Sequence, residues 1–205
     1  MSKHFNIFRQ MVLGYILIVG LTVGLITPIA QAEAPIDTLY KASAAPETLV
    51  DGLTQAQRAA KIDTFFMSRD NSPLAGYGLA MVQAADHYDI DWKLLPAIAT
   101  IESNGGKMLC TSKSGANNPF GFGSCKIKFK DFDQAIDTVA RNLGGHNPNT
   151  EAHYKDKDLV EILDAYNPPS VRKDYKKIVT WAMNKIAATD IPVTDSSSLG
   201  ELAMK

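Results

Sequence analysis

Apolar side chains recur every three or four residues in a series of short segments between residues 55 and 187, and this period constrains the chain more than any other feature. The spacing matches an α-helical turn, so each segment places its apolar side chains on one face. Such faces leave water only by packing together, which predicts a mainly α domain around one core. The predicted helices are 55–66, 74–88, 92–103, 132–143, 159–166 and 171–187.

The helix predicted over 92–103 has recognisable ends. Asp91 is a residue type that caps helix N-termini, and Gly105 and Gly106 follow the last apolar position. The segment Cys110–Phe129, rich in Gly, Ser, Asn and Phe, lacks the helical period. It predicts a small lobe that is either a loop or a hairpin, and it is the one region of the domain that could hold short strands.

The composition fits a packed globular domain. Of 205 residues 45% are hydrophobic and 21% charged, which excludes a wholly disordered or collagen-like chain. The formal charge is −1, from 21 Lys and Arg against 22 Asp and Glu, and the basic residues form no long block. We therefore expect no nucleic-acid partner and no polyanion held by charge. We expect a monomer.

The first 32 residues have the pattern of an export leader. Lys3 and Arg9 precede an uncharged, largely apolar stretch over 10–32, which ends with Ala30-Gln31-Ala32. The small residues predict a signal peptide cut after Ala32, whereas the length of the stretch also allows an uncleaved membrane anchor. In both cases the domain is extracytoplasmic, either secreted or held at the outer face of the cytoplasmic membrane through this segment alone.

The segments on either side of the domain lack a periodic apolar face. Residues 33–52 are rich in Ala, Pro, Thr and Ser, and residues 189–205 are rich in Asp, Thr and Ser. Such compositions predict a linker and a flexible tail. The folded domain is therefore predicted over 53–188.

The chain has two cysteines, Cys110 and Cys125. An even number in an exported chain predicts a disulfide, which would contribute about 3 kcal/mol by the chain-entropy model. Two cysteines without a spaced pair of histidines make a poor zinc set. Nothing in the sequence implies a metal or an organic cofactor.

One carboxylate falls on the apolar face of a predicted helix. Glu102 lies four residues after Ile98 and seven after Leu95, so the three side chains share a face. Burial and the negative end of the helix dipole both disfavour its charge and raise its pKa, as a general acid requires. The alternative is that Glu102 bonds backbone donors in the turn 103–106, and the helix alone does not decide between the two.

The loop after Glu102 has the composition of a sugar-binding surface. No Asp or Glu occurs between Glu102 and Asp131. Amide, hydroxyl and aromatic side chains take their place, and such groups hold neutral polyols. They are Asn104, Ser112, Ser114, Asn117, Asn118, Phe120, Phe122 and Ser124. The alternative is that 117–123 forms an ordinary turn with two core phenylalanines.

Two motifs together carry a family resemblance. Leu95-Pro96-Ala97-Ile98-Ala99-Thr100-Ile101-Glu102-Ser103-x-x-Gly106 is followed by Asn117-Asn118-x-Phe120-Gly121. Over about residues 58–187 the chain resembles the bacterial cell-wall endo-β-N-acetylglucosaminidases of glycoside hydrolase family 73, within the lysozyme-like superfamily. The resemblance implies an α+β lysozyme-like fold and cleavage of the β-1,4 glycan strand of peptidoglycan.

The resemblance also implies site residues. It makes Glu102 the catalytic acid and places the glycan cleft along the second motif, with candidate substrate-binding residues Ser103, Asn117, Asn118, Phe120, Gly121 and Phe122. The family has a further Tyr near the last helix, in a Tyr-x-x-x-Pro-x-Tyr setting. Here Tyr166-Asn167-Pro168-Pro169 precedes Tyr175 by a different spacing. We assign the catalytic cleft position to Tyr166 and a packing role to Tyr175, with a core role for Tyr166 as the alternative.

The sequence names no second catalytic carboxylate. Asp131 and Asp133 are nearest after the loop, but acids at a helix start are usually caps. If Glu102 acts alone, the nucleophile is a water placed by a distant Asp, the substrate's 2-acetamido oxygen, or the 6-hydroxyl of muramic acid. The resemblance favours hydrolysis after N-acetylglucosamine. A lytic transglycosylase, a muramidase and a non-catalytic wall-binding module remain alternatives on the same fold.

Overall fold

The computed structural model describes residues 48–70, 72–110 and 115–191. Within these ranges the chain forms helices and no strand, apart from an isolated bridge between Val50 and Leu53. The mainly α class is therefore confirmed. In chain order the helices are α1 Gln55–Met67, α2 Gly78–His87, α3 Leu94–Ser103, α4 Phe132–Leu143, α5 Glu151–Tyr154, α6 Leu159–Tyr166 and α7 Tyr175–Ala187.

Several predicted segments lie outside the described residues. These are the leader 1–32, most of the linker and the tail from 192 onward. The described end of the linker contacts the domain, because Asp51 accepts hydrogen bonds from Trp92 Nε1 at 3.1 Å and Lys93 Nζ at 2.7 Å. Across the ranges that the structure covers, no helix has both the length and the apolarity that a membrane crossing requires.

α3 is the central helix of the core. Its residues from Leu94 to Thr100 are buried on every side, and it packs mainly against α7, with further contacts to α2 and α4. A helix that is apolar all round belongs in a protein interior. Its last turn reaches the surface at Glu102, which is partly buried.

α3 begins at Leu94, two residues later than predicted. The prediction that Asp91 caps this helix is wrong, because its side chain accepts a hydrogen bond from the N–H of Lys93, at 2.8 Å, in the turn before the helix. The predicted end is confirmed. Asn104 adopts the left-handed conformation with φ 52°, and Gly105 and Gly106 follow with φ values of 71° and 90°.

α2 begins at Gly78 and not at Leu74 as predicted. The carboxylate of Asp63, on α1, accepts hydrogen bonds from the N–H groups of Gly76 and Gly78, both at 2.8 Å. Asp63 therefore caps α2 from a neighbouring helix, a contact that local sequence does not reveal. A side chain at Gly78 would collide with the Ala59 carbonyl oxygen, so glycine permits the close packing of α1 and α2.

A disulfide closes the loop lobe between α3 and α4. Cys110 and Cys125 are joined with an S–S length of 2.02 Å, which confirms the predicted bond. The expected short strands or hairpin are absent from the described part of this lobe, which consists of turns. Side chains satisfy its backbone instead of a ladder. Asn118 bonds the backbone of Phe122 and Ile127, and Asn117 donates to the carbonyl groups of Phe129 and Lys130.

Candidate active site

Glu102 lies between α7 and the loop lobe, and each contacts one of its carboxyl oxygens. Oε1 accepts a hydrogen bond of 2.7 Å from the hydroxyl of Tyr175, the first residue of α7. Oε2 lies against Gly121, where an added Cβ would stand 2.8 Å from it. Gly121 also has a φ of 62°, which L side chains rarely adopt. Glycine is therefore required here both by the backbone and by the position of the carboxylate.

The surroundings of Glu102 favour its protonated form. Loss of solvent raises the pKa of Glu102 above its ordinary value, while the hydrogen bond from Tyr175 and the charge of Arg172 offset part of this rise. Burial, together with the nearby Tyr166 and Glu102, raises the pKa of Tyr175 far above its usual range. The Tyr175 hydroxyl therefore keeps its proton, and in this structure it donates a hydrogen bond to Oε1. A proton on the Glu102 carboxyl consequently resides on Oε2, on the side of Gly121.

Glu102 opens into a groove of about 750 Å³. One wall is the loop lobe from Gly121 to Ile127, and the other is formed by the end of α6 and the turn after it, through Val171. Thr150, directly before α5, and His153, within α5, also line the groove. Among the described residues that line the groove, Glu102 is the only carboxylate. A groove that is open to solvent and holds one protonatable acid suits an extended polymer substrate.

Besides Glu102, three of the residues predicted to bind substrate or act in catalysis line this groove. Gly121, Phe122 and Tyr166 are all in its walls. The rings of Phe122 and Tyr166 lie 6.0 Å apart between centroids, and Tyr166 stacks on Tyr175 at 6.2 Å. The groove thus has aromatic surface close to Glu102.

The other predicted binding residues hold the loop in place and do not face the groove. Asn118 and Phe120 are 1% and 0% exposed, so direct contact with a glycan is excluded in this conformation. Ser103 is equally buried; its Oγ lies 2.6 Å from the Pro119 carbonyl oxygen and accepts a hydrogen bond from the N–H of Gly106. The side-chain amide of Asn117 donates its hydrogen bonds to backbone carbonyl groups. These residues fix the loop that brings Gly121 against Glu102.

The two tyrosines have roles that differ from the sequence-based interpretation. The Tyr166 hydroxyl donates to the carbonyl oxygen of Phe120 at 2.6 Å, so it braces the loop while its ring lines the groove. Tyr175 is buried, as a packing residue would be, but its hydroxyl bonds Glu102. The packing of α7 along α3 brings the start of one helix to the end of the other. The altered motif spacing gave no means to foresee this contact.

The two acids nearest to the loop in sequence, Asp131 and Asp133, do not supply a second carboxylate to the groove. Asp131 caps α4 by accepting the N–H of Gln134 at 2.9 Å, and neither Asp131 nor Asp133 lines the groove. Three polar residues that line the groove were not predicted from the sequence: Thr150, His153 and Asn167. Asn167 belongs to the Tyr166-Asn167-Pro168-Pro169 segment, but nothing there distinguishes it as a lining residue. No motif marks Thr150 or His153, and the four-residue helix α5 at which they lie is too short to give a periodic signal.

Comparison with known proteins gives no match. No protein-family model, no curated protein and no solved structure matches the chain. Within the described residues no group of three or more His, Cys, Asp and Glu side chains is arranged to hold a metal ion. The function of the groove is therefore inferred from its own residues.

Proposed function

We propose that this protein is a glycoside hydrolase that cleaves the β-1,4 glycan strand of peptidoglycan, with Glu102 as its general acid. The observation that carries the proposal is a carboxyl group at the mouth of a groove of about 750 Å³, with its pKa raised mainly by burial. Such a group keeps its proton closer to neutral pH, where it can protonate a leaving oxygen. The family resemblance of the two motifs supports the same role and a lysozyme-like fold.

The two oxygens of Glu102 have different tasks in the proposed mechanism. Oε2 carries the proton on the side of Gly121 and donates it to the glycosidic oxygen as the bond breaks. The Tyr175 hydroxyl, bonded to Oε1, orients the acid and stabilises the carboxylate that forms. Tyr175 is thus a positioning residue, and its buried hydroxyl can serve both protonation states of Glu102.

The lining of the groove supports a carbohydrate substrate. Phe122 and Tyr166 offer aromatic surface, and Ile127 and Val171 offer apolar surface, for the C–H faces of sugar rings. Thr150, His153 and Asn167 add hydrogen-bonding groups. Together with the export leader expected from the sequence, this surface favours a cell-wall polysaccharide outside the cytoplasm.

The lining also favours a mechanism that uses one carboxylate. A two-carboxylate glycosidase needs its second acid within roughly 5–9.5 Å of the first. No described lining residue other than Glu102 is a carboxylate. The nucleophile then comes from the substrate or from water. Attack by the acetamido oxygen or by water gives reducing ends, whereas attack by the muramic 6-hydroxyl gives anhydro ends, so the second candidate is a lytic transglycosylase.

The products from purified cell walls test this proposal. We expect the wild-type protein to release glycan fragments with reducing N-acetylglucosamine ends, identified by mass spectrometry, and Glu102→Gln to release them at least a hundredfold more slowly. Glu161→Gln is a matched control, because Glu161 is exposed on α6 and a glutamine can keep its capping contact with Asp158. Binding of walls without any released fragment would overturn the enzymatic proposal and support a binding module.

A further inference from the structure

Lysine and arginine residues flank both walls of the groove in the sequence, although none is among its lining residues. The loop lobe from 121 to 130 contains Lys126, Lys128 and Lys130 and no acidic residue. The other wall and the start of α7, residues 168–177, contain four basic residues and one acidic residue, Asp174. Because the whole chain has a formal charge of −1, these two segments are more basic than the chain as a whole.

Several of these cations have no internal partner. Lys126, Lys128 and Lys173 are exposed and form no ion pair within the part of the chain that the structure describes. By contrast Lys176 pairs with Asp164 at 2.8 Å. An exposed cation without a partner remains available to a ligand, and several such charges around one cleft attract anions to it.

Immediate chain neighbours of Lys126, Lys128 and Arg172 line the groove. Ile127 lines the groove, so its neighbours Lys126 and Lys128 lie beside it. Asn118 holds this stretch by donating to the carbonyl oxygen of Ile127 at 3.2 Å. On the opposite wall Val171 lines the groove, and Arg172 follows it. Each wall therefore has a cation directly next to one of its lining residues in the chain.

Arg172 is the cation whose field reaches the reaction site. Its guanidinium lowers the pKa of Glu102, which requires the two groups to be close enough to interact electrostatically. Arg172 is exposed, and its Nε lies 3.2 Å from Asp174, which leaves the terminal nitrogens of the guanidinium free to bind a carboxylate.

We propose that the groove selects a glycan that carries carboxylates, and that Arg172, with Lys126 and Lys128 on the other wall, binds them. This inference rests on the proposed function, and it revises the expectation that charge plays little part in substrate binding. In peptidoglycan the carboxylates come from the lactyl group of muramic acid and from the stem peptides. Neutral chitin oligosaccharides have the same β-1,4 backbone without these charges.

Binding to three glycans, measured by isothermal titration calorimetry, tests the inference apart from catalysis. The Glu102→Gln variant is used so that no glycan is cleaved, and the ligands are chitin oligosaccharides, peptide-free strands with lactyl groups, and strands with stem peptides. We expect carboxylated strands to bind about tenfold more tightly than chitin at low salt, with this preference shrinking in about 0.5 M salt. The comparison of the two carboxylated ligands shows which carboxylate Arg172 binds.

Substitution of the rim residues gives the second arm of the test. In the Glu102→Gln background, Arg172→Gln is expected to weaken binding of carboxylated strands about fivefold and leave chitin binding within twofold. Lys126→Gln with Lys128→Gln should act in the same direction. Arg141→Gln, on α4 and outside the groove lining, should change neither the binding of carboxylated strands nor that of chitin. Equal affinity for neutral and carboxylated glycans, or an equal loss for both on Arg172→Gln, would overturn the inference.

The two proposals fail in different ways. If the wild-type protein cleaves no glycan, the proposed function is wrong, while the binding comparison still decides the charge preference. If it cleaves walls and chitin oligosaccharides with equal kcat/KM and no salt dependence, the enzyme stands and the charge preference is wrong.

Discussion

The hydroxyl of Tyr175 donates a hydrogen bond of 2.7 Å to Oε1 of Glu102, and so joins the first residue of α7 to the last turn of α3. The two residues are separated by 73 positions in the chain. Tyr175 is 1% exposed, so this bond is shielded from competing water. The acid is thereby held in one orientation, with its other oxygen free to act in the groove.

Tyr175→Phe removes this donor and leaves the ring. Because the bond lowers the pKa of Glu102, its loss should raise that pKa further. A general acid is active only when protonated, so the basic limb of the pH profile of kcat/KM should move to higher pH. We also expect kcat to fall about tenfold, since the carboxylate formed loses a hydrogen bond.

Tyr166→Phe is the matched control for that variant. The Tyr166 hydroxyl bonds the Phe120 carbonyl oxygen and not Glu102. We expect a loss of about 1 kcal/mol in the free energy of unfolding, with the basic limb unmoved. A limb that moves with Tyr166→Phe and stays in place with Tyr175→Phe would restore the sequence-based assignment of the catalytic tyrosine.

Gly121→Ala should damage catalysis through Glu102. The new methyl group would lie 2.8 Å from Oε2, so either the loop or the acid must move. We expect kcat to fall at least tenfold, alongside a loss of about 1 kcal/mol in stability from the φ of 62°.

Gly123→Ala separates the cost of a side chain at positive φ from the displacement of Glu102. Gly123 has a similar φ of 64°, but its added Cβ would meet the Ile127 side chain, at 2.7 Å from Cδ1 and 2.8 Å from Cγ1, and not Glu102. It should lose a similar amount of stability and keep kcat within about threefold, as measured by urea unfolding and wall turnover. Equal losses of kcat in both variants would mean that Gly121 acts only through the backbone.

The disulfide should matter for both stability and activity. Cys110 and Cys125 close a loop with a sequence separation of 15, and Cys125 is itself part of the groove wall. Cys110→Ser with Cys125→Ser should lower the free energy of unfolding by about 3 kcal/mol. The loosened wall should also reduce turnover. Unchanged urea midpoints, compared with a wild-type sample kept oxidised, would contradict this role.

The ion pair of Arg58 and Asp86 should make stability depend on pH. Arg58 is 1% exposed and binds both carboxylate oxygens, at 2.5 and 2.9 Å. This contact lowers the pKa of Asp86 in the folded protein, so the stabilisation is present above the unfolded-state pKa and is lost as pH falls through the folded-state value. Asp86→Asn should cost about 2 kcal/mol at neutral pH and flatten the acid limb of urea unfolding. An acid limb as steep as that of the wild-type protein would contradict this assignment.

Local signals predicted six of the seven helices of the described residues, although α2 and α7 each begin four residues later than predicted. Contacts between residues distant in the chain could not be predicted from these signals. The predicted bounds of α4 and α6 are confirmed because a periodic apolar face and capping side chains mark both. The spacing of Glu102 from Ile98 likewise predicted that Glu102 is partly buried and that its pKa is raised. By contrast, the start of α2 depends on Asp63 in another helix.

The candidate site shows the same division. The partly buried position of Glu102 was predictable, because the helical period of α3 places it on the same face as Leu95 and Ile98. The roles of Ser103, Asn117 and Asn118 were not, because the same amide and hydroxyl groups serve either a glycan or a loop backbone. Only the fold determines which partner is within reach.

The most direct test of the central claim is a titration of the Glu102 carboxyl carbon by NMR, with the resonance assigned by its loss in Glu102→Gln. We expect its midpoint to lie above the ordinary value of 4.5 and to coincide with the basic limb of the pH profile of kcat/KM. A midpoint at or below 4.5, or a basic limb that persists in Glu102→Gln, would contradict the assignment of Glu102 as the general acid.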